Sequence, residues 1–194
     1  MDAAPILANV RRLIDLQPDE EQAFLALLQP RQARRKALLL EAGGTCTESL
    51  FVVEGCLRSF TVDADGAEHV LSFAPPGWWM ADLYSLVSGR AALLNIQALE
   101  DTQMWVLSRP DQETLFAQVP KFERFFRILV ERSLVSYQQR LLDQTTLPAE
   151  ERYQKFCSYY PSLVHTLPQK QIASFIGVTP EFFSKMRSAL LRRD

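Results

Sequence analysis

Cysteine and histidine are scarce in this chain of 194 residues. The three cysteines, Cys46, Cys56 and Cys157, are widely spaced, and only His69 and His165 could add imidazole ligands. A structural zinc ion or an iron–sulfur cluster needs about four such ligands, so we expect no metal site. We interpret the cysteines as free, reduced thiols that fill small apolar gaps.

Long apolar runs are also missing. No stretch approaches the ~18 apolar residues of a membrane span, and the N-terminal residues lack the basic start and apolar stretch of a secretory signal. A hydrophobic fraction of 47% with 23% charged residues is typical of a packed globular protein. We therefore expect a soluble, cytoplasmic protein of one or two domains.

Charge is unevenly distributed, although the net charge is only −2. Residues 1–166 contain 16 Lys and Arg against 21 Asp and Glu, a net charge of −5. Residues 167–194 contain 5 against 2, a net charge of +3. A basic C-terminal segment favours an acidic partner such as nucleic acid, but solvated Lys and Arg at the end of a chain are the alternative interpretation.

Hydrophobic spacing divides the chain into helical and strand-like segments. Residues 5–29 have the spacing of two short helices, the second of which begins at Pro18 with three acidic residues behind it. Between residues 37 and 107, short apolar segments alternate with turns, which predicts antiparallel strands in a small sandwich or barrel. The clearest hairpin joins residues 56–62 to residues 68–73 across a turn that contains glycine.

Helical spacing returns between residues 121 and 143, with two apolar stripes instead of one. The stripes consist of Phe122, Phe126, Val130, Leu134, Tyr137 and Leu141, and of Phe125, Ile128, Val135 and Leu142. Two interpretations stay open: a helix buried in one core, or a helix that packs on its own barrel and on a second subunit.

The last segment has the residue types of a helix-turn-helix. A short helix follows Pro168, Gly177 takes a tight turn, and Thr179 can cap a second helix that begins at Pro180. The small core that we predict consists of Ile172, Ala173, Ile176, Val178, Phe183 and Met186. An ordinary helical hairpin is the alternative, because short turn motifs recur widely.

The order of these segments resembles the Crp/Fnr superfamily of bacterial transcription regulators. Residues 50–58 are similar to its first barrel strands, residues 76–83 to its phosphate-binding cassette, residues 98–107 to its closing strand and residues 172–187 to its helix-turn-helix. The resemblance implies an α+β fold in two domains. These would be an N-terminal antiparallel β jelly roll or barrel of the cyclic-nucleotide-binding type and, after a long dimerisation helix, a C-terminal helix-turn-helix.

The resemblance also implies domain boundaries. We expect a sensor domain over residues 1–120, a dimerisation helix over residues 121–145 and a DNA-binding domain over residues 146–194. Relatives of the winged-helix type carry a β-hairpin after the second helix. Because the sequence ends soon after that helix, we expect the wing to be truncated or absent.

The cassette departs from cyclic-nucleotide-binding relatives at the phosphate clamp. Where they have Arg-Ser or Arg-Thr, this chain has Ala92 and Leu93, and Arg90 lies about 7 Å away along a strand. Asp82 also replaces a longer glutamate. We expect no binding of cyclic AMP or cyclic GMP and no cofactor, and an unknown small effector is the alternative. The pocket residues that we predict are Arg58, Gly77, Ala81, Asp82, Leu83, Arg90, Ala92, Leu93, Tyr137 and Gln138.

The roles of the bulky side chains near the cassette are less directly predicted than those of the cassette itself. We expect Tyr137 and Gln138 to fill the former nucleotide pocket. Trp78 and Trp79 belong either to the core or to a stacking platform for an effector.

The resemblance places the helix that begins at Pro180 in the major groove of DNA. We expect Glu181 to accept a hydrogen bond from cytosine N4 and Lys185 to donate one to guanine. We expect Phe182 to pack on the preceding helix. The DNA contacts that we predict are Gln169, Lys170, Thr179, Pro180, Glu181, Ser184, Lys185, Arg187 and Ser188. Arg192 and Arg193 are further candidates for phosphate contacts.

We therefore interpret the chain as a dimeric, sequence-specific transcription regulator. Its expected partners are double-stranded DNA, a second copy bound through residues 121–143, and RNA polymerase. The alternative is a small-ligand-binding regulatory module that acts through protein contacts and does not read DNA. The sequence contains no Ser/His/Asp, paired-carboxylate or metal-ligand arrangement, so we predict no catalytic residues and no enzyme activity.

Overall fold

The computed structural model describes residues 1–190 and Arg192. The chain forms two compact units, one of residues 1–59 and 73–132, the other of residues 60–72 and the residues from 133 onward. The second unit therefore combines the tip of a β-hairpin with the helical C-terminal segment. The two units divide the chain after residues 59, 72 and 132. The domain boundaries expected at residues 120 and 145 stay predictions. Arg193 lies outside the described residues.

Two helices precede the strands. They are α1 (Ala4–Arg11) and α2 (Pro18–Ala26), as the spacing predicts. The start of α2 is fixed by Glu20, whose carboxylate accepts the backbone N–H of Gln17 at 2.8 Å. In the part of the chain that the structure describes, eight strands follow: β1 (Gln29–Ala33), β2 (Leu38–Leu40), β3 (Glu48–Glu54), β4 (Leu57–Val62), β5 (Glu68–Ala74), β6 (Trp79–Met80), β7 (Asn95–Ala98) and β8 (Thr102–Ser108).

The strands form two four-stranded sheets, in the orders β1-β8-β3-β6 and β2-β7-β4-β5. Apolar residues of both sheets share one buried core, which contains Leu50, Val52, Leu57, Ala74, Ile96, Ala98, Met104 and Val106. The predicted antiparallel β domain and its hairpin between β4 and β5 are confirmed. Gly55 is needed at the turn between β3 and β4, because its φ is +85° and a Cβ there would lie 2.5 Å from the Asp101 carbonyl oxygen.

Three elements of the β domain are not predicted by the sequence pattern. One is helix α3 (Leu83–Ser88), which lies in the stretch where only strands are predicted. Strand β1 contains only one apolar side chain besides its proline, and it forms by antiparallel pairing with β8, Gln29 opposite Val106. Helix α4 (Arg109–Gln118) is mostly polar. It is nevertheless preceded by a helix-capping residue, Ser108, whose hydroxyl accepts the N–H of Asp111 at 3.1 Å.

The remaining helices are α3 (Leu83–Ser88), α5 (Lys121–Thr146), α6 (Ala149–Tyr159), α7 (Gln169–Ile176) and α8 (Pro180–Leu190). In the first unit, the start of α5 is held by Phe122 and Phe125, which are buried with Phe24 and Leu115 in a core under the N-terminal helices. None of the described helices combines the length and apolar character of a membrane span.

The three cysteines are free, as predicted. Cys46 and Cys56 are buried, and burial raises the pKa of both thiols, that of Cys56 to about 12. Both side chains are therefore neutral thiols near pH 7 and pack as small apolar groups.

Candidate functional site

Helices α7 and α8 form the predicted helix-turn-helix. Gly177 ends α7 with φ +74°, and its N–H donates to the Ser174 carbonyl at 3.2 Å. Thr179 caps α8, because its hydroxyl oxygen accepts the N–H of Phe182 at 3.2 Å. The buried apolar side chains of this helical segment include Phe156, Tyr160, Leu163, Ile172, Ala173, Ile176 and Phe183. Val178 and Met186, also predicted for the core, are only half-buried.

The side chains predicted to contact DNA lie on the accessible surface of this motif. Eight of the nine are exposed: Gln169, Lys170, Thr179, Pro180, Glu181, Ser184, Lys185 and Ser188. Around α8, a rotation of 100° per residue places Glu181, Lys185 and Ser188 together, opposite the buried Phe183. One face of α8 is therefore free to carry polar contacts to a partner, and the roles of these residues toward DNA stay predictions.

Arg187 and Phe182 differ from the other residues of α8. Arg187 is half-buried beside Tyr153 of α6. Burial and a hydrogen bond with the Cys157 thiol raise the pKa of Tyr153. The nearby Arg187 guanidinium lowers the same pKa, although the net shift is upward. Arg187 therefore contributes to the packing of α8 on α6, and its predicted phosphate contact stays a prediction.

Phe182 does not enter the core of the helix-turn-helix, and its packing on the preceding helix stays a prediction. Phe182 is 52% exposed, whereas its neighbour Phe183 is buried with its ring 5.2 Å from that of Tyr153. Adjacent side chains on a helix point about 100° apart, so only one of the two phenylalanines can enter the core.

The cassette is built around Asp82, which is only 1% exposed. Its Oδ1 accepts the N–H of Ser85 at 3.0 Å and caps α3, while its Oδ2 accepts the N–H groups of Leu93 at 2.8 Å and Leu94 at 3.0 Å. Three backbone donors therefore point at one internal carboxylate. Of these four residues, Asp82 and Leu93 are predicted from the sequence, whereas Ser85 and Leu94 are not. The Asp-x-x-Ser spacing is a capping signal that could have found Ser85.

The structure brings together only part of the predicted pocket. Arg58 is buried and donates from Nε and Nη2 to Gln97 Oε1 at 3.1 and 2.7 Å. Arg90 is exposed, and its carbonyl oxygen accepts the Ser85 hydroxyl at 2.6 Å. Ala92 is buried and pairs with the backbone of Gly44, its N–H donating at 2.7 Å.

The other predicted pocket residues have diverse surroundings. Leu83 and Leu93 are exposed, and Ala81 is half-buried. Gly77 is half-buried, and its carbonyl oxygen accepts Asn9 Nδ2 at 3.0 Å. Tyr137 and Gln138 are exposed and belong to the second unit, so their role in filling a pocket stays a prediction.

Trp79 belongs to the core of the first unit. Its ring contacts those of Phe51 at 5.3 Å, Phe126 at 5.4 Å and Phe125 at 6.2 Å, and its Nε1 donates to Asn9 Oδ1 at 3.2 Å. Trp78 is half-buried against the core between the sheets. Of the two interpretations of these tryptophans, the structure favours the core.

Within the second unit, a polar network that is not predicted from the sequence connects the hairpin tip to the helix-turn-helix. The Ser174 hydroxyl on α7 donates to the Glu68 carbonyl at 2.7 Å and accepts the Val70 N–H at 2.9 Å. Arg140 on α5 donates to the carbonyls of Val70 at 2.8 Å, Phe175 at 2.9 Å and Leu71, and its guanidinium lies 4.0 Å from the centre of the Phe175 ring. Burial lowers the pKa of Arg140 from its ordinary value. The strand β5 is thereby bonded directly to α7.

Comparisons with known proteins agree with this architecture. Residues 30–119 match the cyclic nucleotide-binding domain family. The structure of FixK2 from Bradyrhizobium japonicum superposes with a TM-score of 0.75 at 20% identity, covering 86% of this chain and 85% of that one. A putative transcriptional regulator of the Crp/Fnr family from Eubacterium rectale superposes with a TM-score of 0.69 at 13% identity, covering 92% and 85%. The chain has the Crp/Fnr fold. The fold that the resemblance implies is thereby confirmed.

The chain is also similar in sequence to a protein of known description. It is 24% identical over 170 residues to an anaerobic regulatory protein from Aggregatibacter actinomycetemcomitans. The match covers 79% of this chain and 63% of the relative, so the chain spans less than two thirds of that protein's length.

Proposed function

We propose that this chain is a sequence-specific, DNA-binding transcription regulator of the Crp/Fnr type that works in the cytoplasm. The observation that carries the proposal is the α8 surface, where Glu181, Lys185 and Ser188 are exposed on the side opposite the buried Phe183. A helix of this kind, anchored by its apolar side and preceded by a tight turn, presents its first turns to base edges in the major groove. The names of an anaerobic regulatory protein and of a putative transcriptional regulator of the Crp/Fnr family, both similar to this chain, support the proposal.

Base and phosphate contacts divide between different side chains in this proposal. Glu181 accepts from cytosine N4, and Lys185 donates to guanine O6 and N7. Gln169, Lys170 and the N-terminal end of α8 contact phosphates and position the helix without reading sequence. The net charge of +3 in residues 167–194 favours this contact with a polyanion.

The regulator acts as a homodimer in this proposal, through the exposed apolar stripe of α5. Val130, Leu134, Tyr137 and Leu141 recur every three or four residues and are between 44% and 64% exposed in the single chain. That repeat is the one by which two helices form a coiled coil. A dimer would present two copies of α8 about 34 Å apart, one DNA turn. RNA polymerase as a further partner follows from the resemblance.

The sensor domain does not bind a cyclic nucleotide in this proposal. The N–H groups of Ser85, Leu93 and Leu94 already donate to the Asp82 carboxylate. An incoming phosphate would have to displace that carboxylate or lie beside its negative charge, and both are unfavourable in a buried site. Calorimetry with cyclic AMP and cyclic GMP is expected to give no heat of binding, while a panel of other metabolites searches for an effector.

Selection from random duplex DNA tests the proposed function. We expect a two-fold-symmetric site to be enriched, and Lys185→Ala to weaken binding to it by roughly 10- to 100-fold in fluorescence anisotropy. Lys121→Ala is the matched control, because it removes the same charge from a side chain that pairs with Glu20 in the first unit. No enriched duplex, or equal losses in the two variants, would contradict the proposal and favour a ligand-binding module that acts through protein contacts.

A further inference from the structure

Phe182 is an exposed aromatic side chain on a helix that already has an apolar anchor. Phe183 fills the core of the helix-turn-helix and is fully buried, while Phe182 leaves about half of its surface in water. Its position is well defined, because its own N–H donates to the cap hydroxyl of Thr179 at 3.2 Å. The backbone of Phe182 is therefore fixed at the first turn of α8, and its half-exposed ring contributes little to the core.

The neighbours of Phe182 are the side chains that the proposed function assigns to the DNA bases. Glu181 precedes it, and Lys185 lies one turn further along the same side of α8, three residues on. Both are exposed, as is Ser184. A partner that contacts Glu181 and Lys185 would therefore also meet the Phe182 ring.

The surroundings of the ring determine what kind of group it fits. Among the described residues of α8, Phe182 is the only large exposed hydrophobic side chain. A docking surface for a protein normally needs an apolar patch of several hundred Å², which one ring among charged and hydroxyl side chains does not supply. In the major groove, the apolar group that a base presents is the 5-methyl group of thymine.

We propose that Phe182 is a specificity-determining residue that contacts the 5-methyl group of a thymine in each half-site. The proposal rests on the proposed function, since it requires α8 to lie in the major groove. Contact with the ring removes the methyl group from water and favours thymine over cytosine, which carries hydrogen at C5. Glu181 and Lys185 then contact the hydrogen-bonding groups of the bases, and Phe182 contacts the apolar methyl group of thymine.

Replacement of single thymines by deoxyuridine tests this contact, because it removes one methyl group and preserves base pairing. On the selected duplex, we expect deoxyuridine at one symmetric position to weaken binding of the unaltered protein about fourfold per half-site. Phe182→Ala should lose the same affinity on thymine DNA and show no further loss on deoxyuridine DNA. Lys185→Ala is the control, because it should bind more weakly yet keep its sensitivity to the methyl group.

The outcomes separate this inference from the proposed function. A site whose binding is unchanged by deoxyuridine at every position, or a Phe182→Ala protein that stays fully sensitive to deoxyuridine, overturns the role of Phe182 and leaves DNA reading intact. A protein that selects no duplex overturns both. Unchanged thermal unfolding of Phe182→Ala, expected for an exposed ring, excludes misfolding as the cause of a lost contact.

Discussion

At the scale of the residue, Asp82 shows how one side chain decides the chemistry of a site. A buried carboxylate is unfavourable unless hydrogen-bond donors surround it, and here three backbone N–H groups do so. Two of the three come from Leu93 and Leu94, more than ten positions further along the chain. Asp82 thus joins the start of α3 to the segment that precedes β7, and it occupies donors that an external anion would need.

Asp82→Asn should therefore destabilise the first unit. The amide of Asn keeps one acceptor oxygen, but its NH₂ group faces backbone donors. We expect this mismatch to lower the free energy of unfolding by about 2 kcal/mol. The thermal midpoint should fall by roughly 4–8 °C for a chain of this size. Asp65→Asn, at an exposed position in the turn between β4 and β5, is the control and should leave the midpoint unchanged. Equal midpoints for the two variants would show that the carboxylate has no structural role.

At the scale of the element, the helix-turn-helix is hydrogen-bonded to a strand of its own unit. Its first helix, α7, is bonded through Ser174 to the backbone of β5, and Arg140 of α5 donates to both β5 and α7. The strand β5 lies at the edge of its sheet, where backbone groups lack a strand partner on one side. A side chain of α7 satisfies two of those groups here.

Ser174→Ala should release this connection. We expect a loss of about 1–2 kcal/mol in stability of the second unit, because the variant leaves the Val70 N–H and the Glu68 carbonyl without the hydroxyl. Hydrogen exchange of the Val70 amide should become roughly tenfold faster. The matched control is Ser158→Ala on α6, whose exposed hydroxyl donates to the Gln154 carbonyl of the same helix. An unchanged exchange rate at Val70 would contradict the connection.

At the scale of the whole molecule, the proposed dimer gives the exposed half of α5 its role. Phe122 and Phe125 at the start of the helix are buried, whereas the apolar side chains from Val130 to Leu142 stay largely exposed in the single chain. The first turns of α5 pack in their own unit, as one of the two interpretations of the double stripe predicts. That the later turns pack on a second subunit stays a prediction.

Leu134→Glu combined with Leu141→Glu should dissociate the dimer, because two negative charges would be placed in an apolar seam. Sedimentation is expected to show the chain mass of 22.2 kDa instead of twice that value. Binding to a two-fold-symmetric duplex should weaken by about 100-fold, since each half-site then binds one subunit alone. Gln154→Glu adds negative charge at an exposed position of α6 and should preserve the dimer. A dimer that survives the double substitution would place the interface elsewhere.

Local chemistry in the sequence was sufficient to predict the elements whose causes are local. Pro18 with its acidic neighbours predicts α2, and Gly177 with Thr179 predicts the turn and cap of the helix-turn-helix, because turns and caps depend on a few adjacent residues. The alternation of short apolar segments likewise predicts the β domain. The tertiary structure alone decided the rest. Strand β1 exists through pairing with β8, Asp82 is satisfied by distant N–H groups, and Phe182 is exposed because Phe183 occupies the core. These features depend on which distant groups meet after folding, and no local pattern contains that information.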